Sequence, residues 1–315
     1  MFYDLSVLDS IRLNFSPSGL LIMNITLAII MFGIALDLKL EQFKKVLYNP
    51  KSLIVGIISQ FILMPGFTFI LVKLINPTPA IALGMILVAA CPGGNISNFM
   101  SHIAKANTAL SISLTAFADI GALFLTPLNF AFWGGLYLKS SPLLRQLEID
   151  PLQMFQTVFI LLGIPLILGI WFSRKFPKIT KKIVKPFRIF GLVAFLGFIA
   201  AAFSSNVDHF VKYIPPIFLI VLIHNIVALL TGFSFASLWK LPRSDRRSIT
   251  IETGIQNSGL GLILIFNPKI FPPELELGGM AFIAAWWGIW HIISGLTIAG
   301  LWSRKALPGS SLQTN

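Results

Sequence analysis

The sequence predicts an all-α polytopic membrane protein with nine transmembrane helices. Three observations predict it. Apolar residues make up 56% of the 315 residues and charged residues 11%, against roughly 25% charged in an ordinary soluble domain. Mean hydropathy is +0.83. Nine stretches are long and apolar enough for the ~20 residues that cross a bilayer. Two of them are interrupted at matching places. This balance excludes a disordered chain and makes a soluble globular enzyme a poor fit. The net charge of +12 would suggest nucleic acid in a soluble protein. Here the cations sit in short clusters between apolar runs and read as membrane topology, so no nucleic-acid partner is expected. The single cysteine, Cys91, excludes an internal disulfide and a Cys-based metal site. The first residues lack a basic n-region, so no cleavable signal peptide is expected.

The spans follow in order. The first covers 18–37. After it, Leu38–Tyr48 mixes Leu40, Phe43 and Val46 with Glu41, Lys44 and Lys45, an amphipathic surface helix. The second covers 50–75, with Gln60 and Met64-Pro65 inside it. The third, 79–104, contains Cys91-Pro92-Gly93-Gly94-Asn95-Ile96-Ser97-Asn98. The fourth, 107–138, carries Ser111, Thr115 and Asp119 at helical spacing, on one face. The fifth and sixth cover 152–173 and 186–205, and the basic run from Arg174 to Arg188 lies between them. The seventh covers 213–239. The eighth, 248–268, contains Glu252-Thr253-Gly254-Ile255-Gln256-Asn257-Ser258-Gly259. The ninth, 277–302, contains Trp286, Trp287, Trp290 and His291. The tail from 306 to 315 is polar.

With the N-terminus outside, 18 of the 24 basic residues fall on the inner side. The outer side keeps Arg12, Lys73, Lys139, Arg145, Lys212 and Lys269. The positive-inside rule then predicts a cytoplasmic C-terminus.

Spans three and eight are each the next-to-last helix of their half of the chain. Pro removes a backbone donor and Gly weakens a helix. Unwound backbone survives in lipid only where it is buried in protein or lines a cavity. The two spans are separated by an odd number of crossings, so they run in opposite directions. Paired interrupted helices of opposite direction point to a secondary transporter with inverted-topology repeats, the first repeat lacking one helix. A simple kink, with the amides packing helix on helix, is the plainer alternative.

Of twelve acidic residues, only Asp119 and Glu252 lie deep in spans. A carboxylate at the bilayer centre costs about 2.5–3.5 kcal/mol on insertion scales, and no Lys or Arg lies mid-span to pair with either. A bound cation or a proton is therefore expected. Hard cations take oxygen ligands. The sequence offers the Glu252 carboxylate, the amides of Gln60, Asn98 and Gln256, and the hydroxyls of Ser97, Ser111 and Thr115. A hydrogen-bonded structural acid is the alternative for each carboxylate. His291 reads either as a relay or substrate contact or as a satisfied core residue.

Several runs together resemble a known family. They are Ile30-Met31-Phe32-Gly33-Ile34-Ala35-Leu36, Gln60-Phe61 with Met64-Pro65, and Cys91-Pro92-Gly93-Gly94 with Ser97-Asn98. Glu252, Gly254, Gln256-Asn257-Ser258-Gly259 and Trp290-His291 complete the set. The chain resembles the bile acid:sodium symporter family, in a bacterial homologue, from about 18 to 305. The resemblance implies a core domain of spans two to four and seven to nine (50–151 and 213–305), in which the two broken helices cross. It also implies a panel domain of spans one, five and six (1–49 and 152–212) and a cytoplasmic tail (306–315). By motif, one sodium site would use Ser97, Asn98, Ser111, Thr115 and Glu252. A second would use Gln60, Glu252, Thr253, Ile255 and Gln256, with main-chain carbonyls serving at Thr253 and Ile255.

Two positions depart from the family. Relatives have His-Asn where this chain has His291-Ile292, which makes the substrate pocket more apolar. Asp119 stands where relatives carry a neutral residue, and it adds a cation or proton site or repels anions.

The resulting expectation is a sodium-coupled symporter of an organic anion in the bacterial inner membrane, working by alternating access and carrying two sodium ions. The anion would be bile-acid-like or a small carboxylate such as pantoate. Asn95, Asn257, His291 and Ile292 would meet it, since helix N-termini favour anions. Proton coupling through Asp119 is the first rival, and a passive channel is another. A membrane-embedded enzyme using Asp119, Glu252 and His291 is a third, against which stands the lack of an HExxH or G-x-S-x-G motif.

Overall fold

A computed structural model describes residues 6–10, 17–37, 50–139, 150–204, 207–267, 269–271 and 277–304. Among them the chain is helical throughout, with one isolated β-bridge. A short α1 (Ser6–Ser10) precedes α2 (Pro17–Asp37). Next come α3 (Lys51–Ile75), α4 (Pro79–Ala90), α5 (Ile96–Ile103) and α6 (Thr108–Lys139). Then follow α7 (Pro151–Lys175), α8 (Pro177–Ser204) and α9 (Val207–Leu238). The chain ends with α10 (Arg243–Gly254), α11 (Ser258–Ile265) and α12 (Gly278–Ser303).

Among the described residues, five helices are long and apolar enough to cross a membrane: Lys51–Ile75, Thr108–Lys139, Pro151–Lys175, Tyr213–Leu238 and Gly278–Ser303. The third and eighth expected spans are absent from that set because each is two short helices, α4 with α5 and α10 with α11. The eighth also starts earlier than its apolar run, at Arg243. The sixth likewise extends back through the lysine-rich stretch to Pro177, since Pro suits a first helical turn. The amphipathic segment Leu38–Tyr48 and the tail 306–315 lie outside the described residues.

Among the described residues, three single turns wind wider, as π-helix, at Ser59–Leu63, Phe130–Gly134 and Phe159–Gly163. Each lies close to a proline, at Pro65, Pro127 and Pro165. Proline cannot donate to the carbonyl four residues back, so Pro65 leaves the Phe61 carbonyl without its helical donor. The Asn129 side chain on α6 supplies one, at 3.0 Å. In a lipid-facing protein that substitution matters, because no water is present to take the role.

Packing follows from residue size. α2 lies against α7 and α8, α10 runs along α9, and α4 packs on α12. Small residues permit the closest approaches. A Cβ added at Gly232 on α9 would come within 2.8 Å of the Ile249 carbonyl and Thr250 Cα of α10. One at Gly169 on α7 would come within 2.7 Å of the Phe32 carbonyl of α2. From Ala80 to Ala90, α4 is buried on every side, which suits a helix that is apolar all round.

One end of the assembly is tied by a polar network. Ser52 at the start of α3 donates to Asp245 at 2.6 Å, and Asn107 before α6 donates to it at 2.9 Å. Three helix starts therefore gather there. At the opposite end Asp9 of α1 accepts from the Thr78 hydroxyl at 2.8 Å and lies against Gly279 of α12.

Candidate functional site

The two interrupted helices meet at their breaks. Gly93 and Gln256 form an antiparallel bridge. The Gly94 amide donates to the Ile255 carbonyl at 2.7 Å, and the Asn257 amide donates to the Pro92 carbonyl at 2.8 Å. Each unwound segment thus satisfies the other's backbone, which is what makes a break tolerable inside a membrane. Pro92 and the adjacent glycines end α4, and Gly254 ends α10. A third element joins in, because Asn225 of α9 donates to the Gly254 carbonyl at 2.8 Å.

Glu252, on the last turn of α10, is the centre of this crossing and only 2% exposed. Three hydroxyls donate to one of its oxygens: Ser97 of α5 at 2.5 Å, Ser111 of α6 at 2.5 Å and Thr115 of α6 at 3.0 Å. The two shortest lie in the range of charge-assisted bonds. Thr115 is also 3.3 Å from the Asn98 side-chain oxygen. The first expected ligand set, Ser97, Asn98, Ser111, Thr115 and Glu252, is therefore one cluster drawn from α5, α6 and α10. Its oxygens can all turn lone pairs toward a cation.

The second oxygen of Glu252 lies 3.2 Å from Thr115 and also toward Gln60, a member of the second expected set. A Cβ added at Gly93 would lie 2.6 Å from Gln60 Nε2 and 2.8 Å from Glu252 Oε2. The missing side chain of Gly93 thus leaves room for these two side chains to approach each other. Gln60 is fully buried, and both its amide oxygen and its nitrogen are without hydrogen-bond partners. The Gln256 oxygen is likewise buried and unpartnered, while its nitrogen donates to the Thr253 carbonyl at 3.0 Å. Buried amides normally find partners, so two incompletely satisfied amides at the break, that of Gln60 close to the carboxylate, fit a site that completes itself with a cation. The Ile255 carbonyl already accepts from Gly94 and has one lone pair left to give.

The remaining expected residues separate into different environments. Asn257 caps α11, its side-chain oxygen accepting from the Leu260 amide at 3.1 Å. Asn95 stands at the start of α5 without capping it and is partly exposed. An anion at this crossing would meet their side-chain amides first, since the backbone amides of Ser97 and Asn257 donate within the protein. His291 is buried with both ring nitrogens unpartnered. Ile292 packs on the apolar cluster of Met100, Ala104, Ile251, Ile255 and Ala299. Asp119 lies one turn beyond Thr115, 1% exposed, and neither of its oxygens has a hydrogen-bond partner.

Three contributors escape a sequence reading. The Ser59 hydroxyl pairs with that of Thr253 at 2.9 Å. Asn225 supports the break, and His224 pairs with Thr68 at 2.9 Å while its ring lies 4.6 Å from that of Trp287. Their one signal is polarity inside the apolar spans two and seven.

Residues 24–213, more than half of the chain, match the family model described as Sodium Bile acid symporter family. The chain belongs to this family. It is 33% identical over 284 residues to the uncharacterized sodium-dependent transporter YocS of Bacillus subtilis, covering 89% of this chain and 83% of that one. It is 31% identical over 287 residues to the probable sodium/metabolite cotransporter BASS1, chloroplastic, of Arabidopsis thaliana. That match covers 89% of this chain and 66% of the relative. The ileal sodium/bile acid cotransporter of Cricetulus griseus is 26% identical over 277 residues, covering 84% of this chain and 76% of that one. The family is one of symporters, and these relatives bear the names of transporters rather than enzymes.

Proposed function

We propose that the chain couples the inward movement of sodium to that of an organic anion by alternating access. The observation that carries this reading is the convergence of Ser97, Ser111 and Thr115 on Glu252, with unpartnered Gln60 beside it, where two interrupted helices cross. Two sodium ions would share Glu252, one on each carboxylate oxygen. Their charge would neutralise the buried acid and tie α3, α5, α6 and α10 into one body. An anion, bile-acid-like or a small carboxylate such as pantoate, would then meet Asn95, Asn257 and His291. Ile292 would contribute apolar surface from the side.

The architecture we infer is nine spans in two inverted repeats: the five uninterrupted helices, α2, α8 and the two interrupted pairs. The packing of α2 on α7 and α8 supports a panel set against a core that contains both breaks. Lys51, Arg243, Arg246 and Arg247 flank the network at Asp245, and Lys73 and Lys139 close the opposite ends of α3 and α6. That asymmetry supports a cytoplasmic C-terminus. We place the protein in the bacterial inner membrane.

The test is uptake into sealed proteoliposomes. An inward sodium gradient should drive accumulation of a labelled carboxylate above its outside concentration, and potassium should not replace sodium. Uptake that only equilibrates would indicate a channel, and uptake indifferent to sodium would refute the coupling.

Asp119 favours a second reading, in which it binds a proton or a further cation. A buried carboxylate with both oxygens unpartnered is costly as an anion. If it is the coupling site, Asp119→Asn abolishes transport and sodium removal does not. Under the sodium reading the opposite holds.

A further inference from the structure

We propose that the connection between α7 and α8 is a binding site for an anionic phospholipid. Ile167, Ile170, Trp171 and Arg174 recur at helical spacing along one face of α7. With Lys175 they line an open cleft of about 510 Å³. This face points away from the packed interior, which α7 meets through Leu162, Pro165, Leu166 and Gly169. Ile167 is 55% and Trp171 52% exposed. The cleft is therefore apolar along the helix and cationic at its end, the profile of an acyl chain followed by a phosphate.

Lys175 stands beside aromatic rings at that end. Its ammonium lies 4.9 Å from the centre of the Trp171 ring and 5.6 Å from that of Phe176. Beyond the turn, Lys178, Lys181, Lys182 and Lys185 are all exposed at the start of α8. Half of the twelve residues from Arg174 to Lys185 are cationic, and no Asp or Glu occurs between 151 and 207. Two cations in the last turn would suffice to complement the dipole of α7. Six, with no acid in the same stretch of chain, leave a surplus of positive charge that favours an anion. A free phosphate would meet the charges and leave the apolar wall uncovered. A phospholipid meets both: basic pockets on the cytoplasmic side of membrane helices take lipid head groups, and Trp is enriched at the membrane interface. A lipid held there would fasten α7 and α8 to the leaflet, and α2 with them through its packing. The inference does not depend on the sodium reading.

The experiment uses the full chain in neutral detergent. Thermal stability is measured with phosphatidylglycerol or phosphatidylcholine of identical acyl chains, and with glycerol 3-phosphate alone. Native mass spectrometry counts retained lipid. Wild type should gain several degrees from phosphatidylglycerol only and retain one molecule of it. Arg174→Gln with Lys175→Gln should lose most of that gain without a change in lipid-free stability. Lys240→Gln with Arg243→Gln, which removes the same charge from exposed positions outside this stretch, should keep most of it. Equal effects of the two lipids would overturn the proposal. So would a shift retained in the Arg174/Lys175 variant, a shift lost equally in both variants, or one reproduced by glycerol 3-phosphate.

Discussion

Gln60 has both amide atoms buried and unpartnered a short distance from Glu252. An unsatisfied buried group costs about 1–3 kcal/mol, so its retention calls for a function. Gln60→Leu keeps the volume and removes the cost. It should raise thermal stability in potassium and reduce the additional stability that sodium brings. A variant less stable in potassium would show that the amide is already satisfied. Thr115→Val removes a hydroxyl that touches both Glu252 and Asn98. A bond to a charged group is worth about 1.5–3 kcal/mol, roughly 10–100-fold in affinity, and a sodium titration of stability would read that shift. Glu252, Ser97, Ser111 and Thr115 are legible in the sequence because oxygen-bearing side chains stand out in apolar spans. Ser59 and Asn225 are equally polar, but nothing along the chain marks which neighbour they meet. Asp245 is harder still. It reads as an interfacial acid among arginines, and only folding brings Ser52 and Asn107 to it.

At the scale of elements, the breaks are legible and the wider turns are not. Pro92 with two glycines announces that α4 stops. Pro65 announces only a missing donor, and the chain answers with a π turn and a bond from Asn129 more than sixty residues away. Asn129→Ala would leave the Phe61 carbonyl unpaired in a region without water. The expected cost is about 1–3 kcal/mol, measurable as a lower melting temperature in both sodium and potassium. A variant of unchanged stability would mean that the carbonyl finds another donor. Gly93→Ala should act differently. Its methyl would lie within 3 Å of Gln60 and Glu252, so the two side chains must part. The sodium response should fall sharply even if the helices still cross, and an unchanged response would show that Gly93 is not the point of convergence.

Across the whole molecule, the distribution of charge sets the expected orientation and the crossing sets the expected cargo. Cys91 is buried and the sole cysteine, so the native chain should label weakly with membrane-impermeant thiol reagents. Against that background, Lys269→Cys should label in intact cells and Lys181→Cys only after the inner face is opened. The reverse pattern would invert the topology. Class and family follow from the sequence because hydropathy and the paired motifs survive without coordinates. The substrate does not, because Ile292 offers no polar group and is partly packed on α5 and α10, and the pocket left to an anion depends on how those helices close. The claim that sodium binds at the crossing through Glu252 is tested by the thermal stability of purified protein in sodium against potassium at equal ionic strength, for wild type and Glu252→Ala. A ligand at 100 times its Kd stabilises the folded state by about 2.7 kcal/mol. Sodium should raise the melting temperature of wild type and leave Glu252→Ala unmoved. Identical melting in the two cations, or an undiminished sodium shift in Glu252→Ala, would contradict the claim.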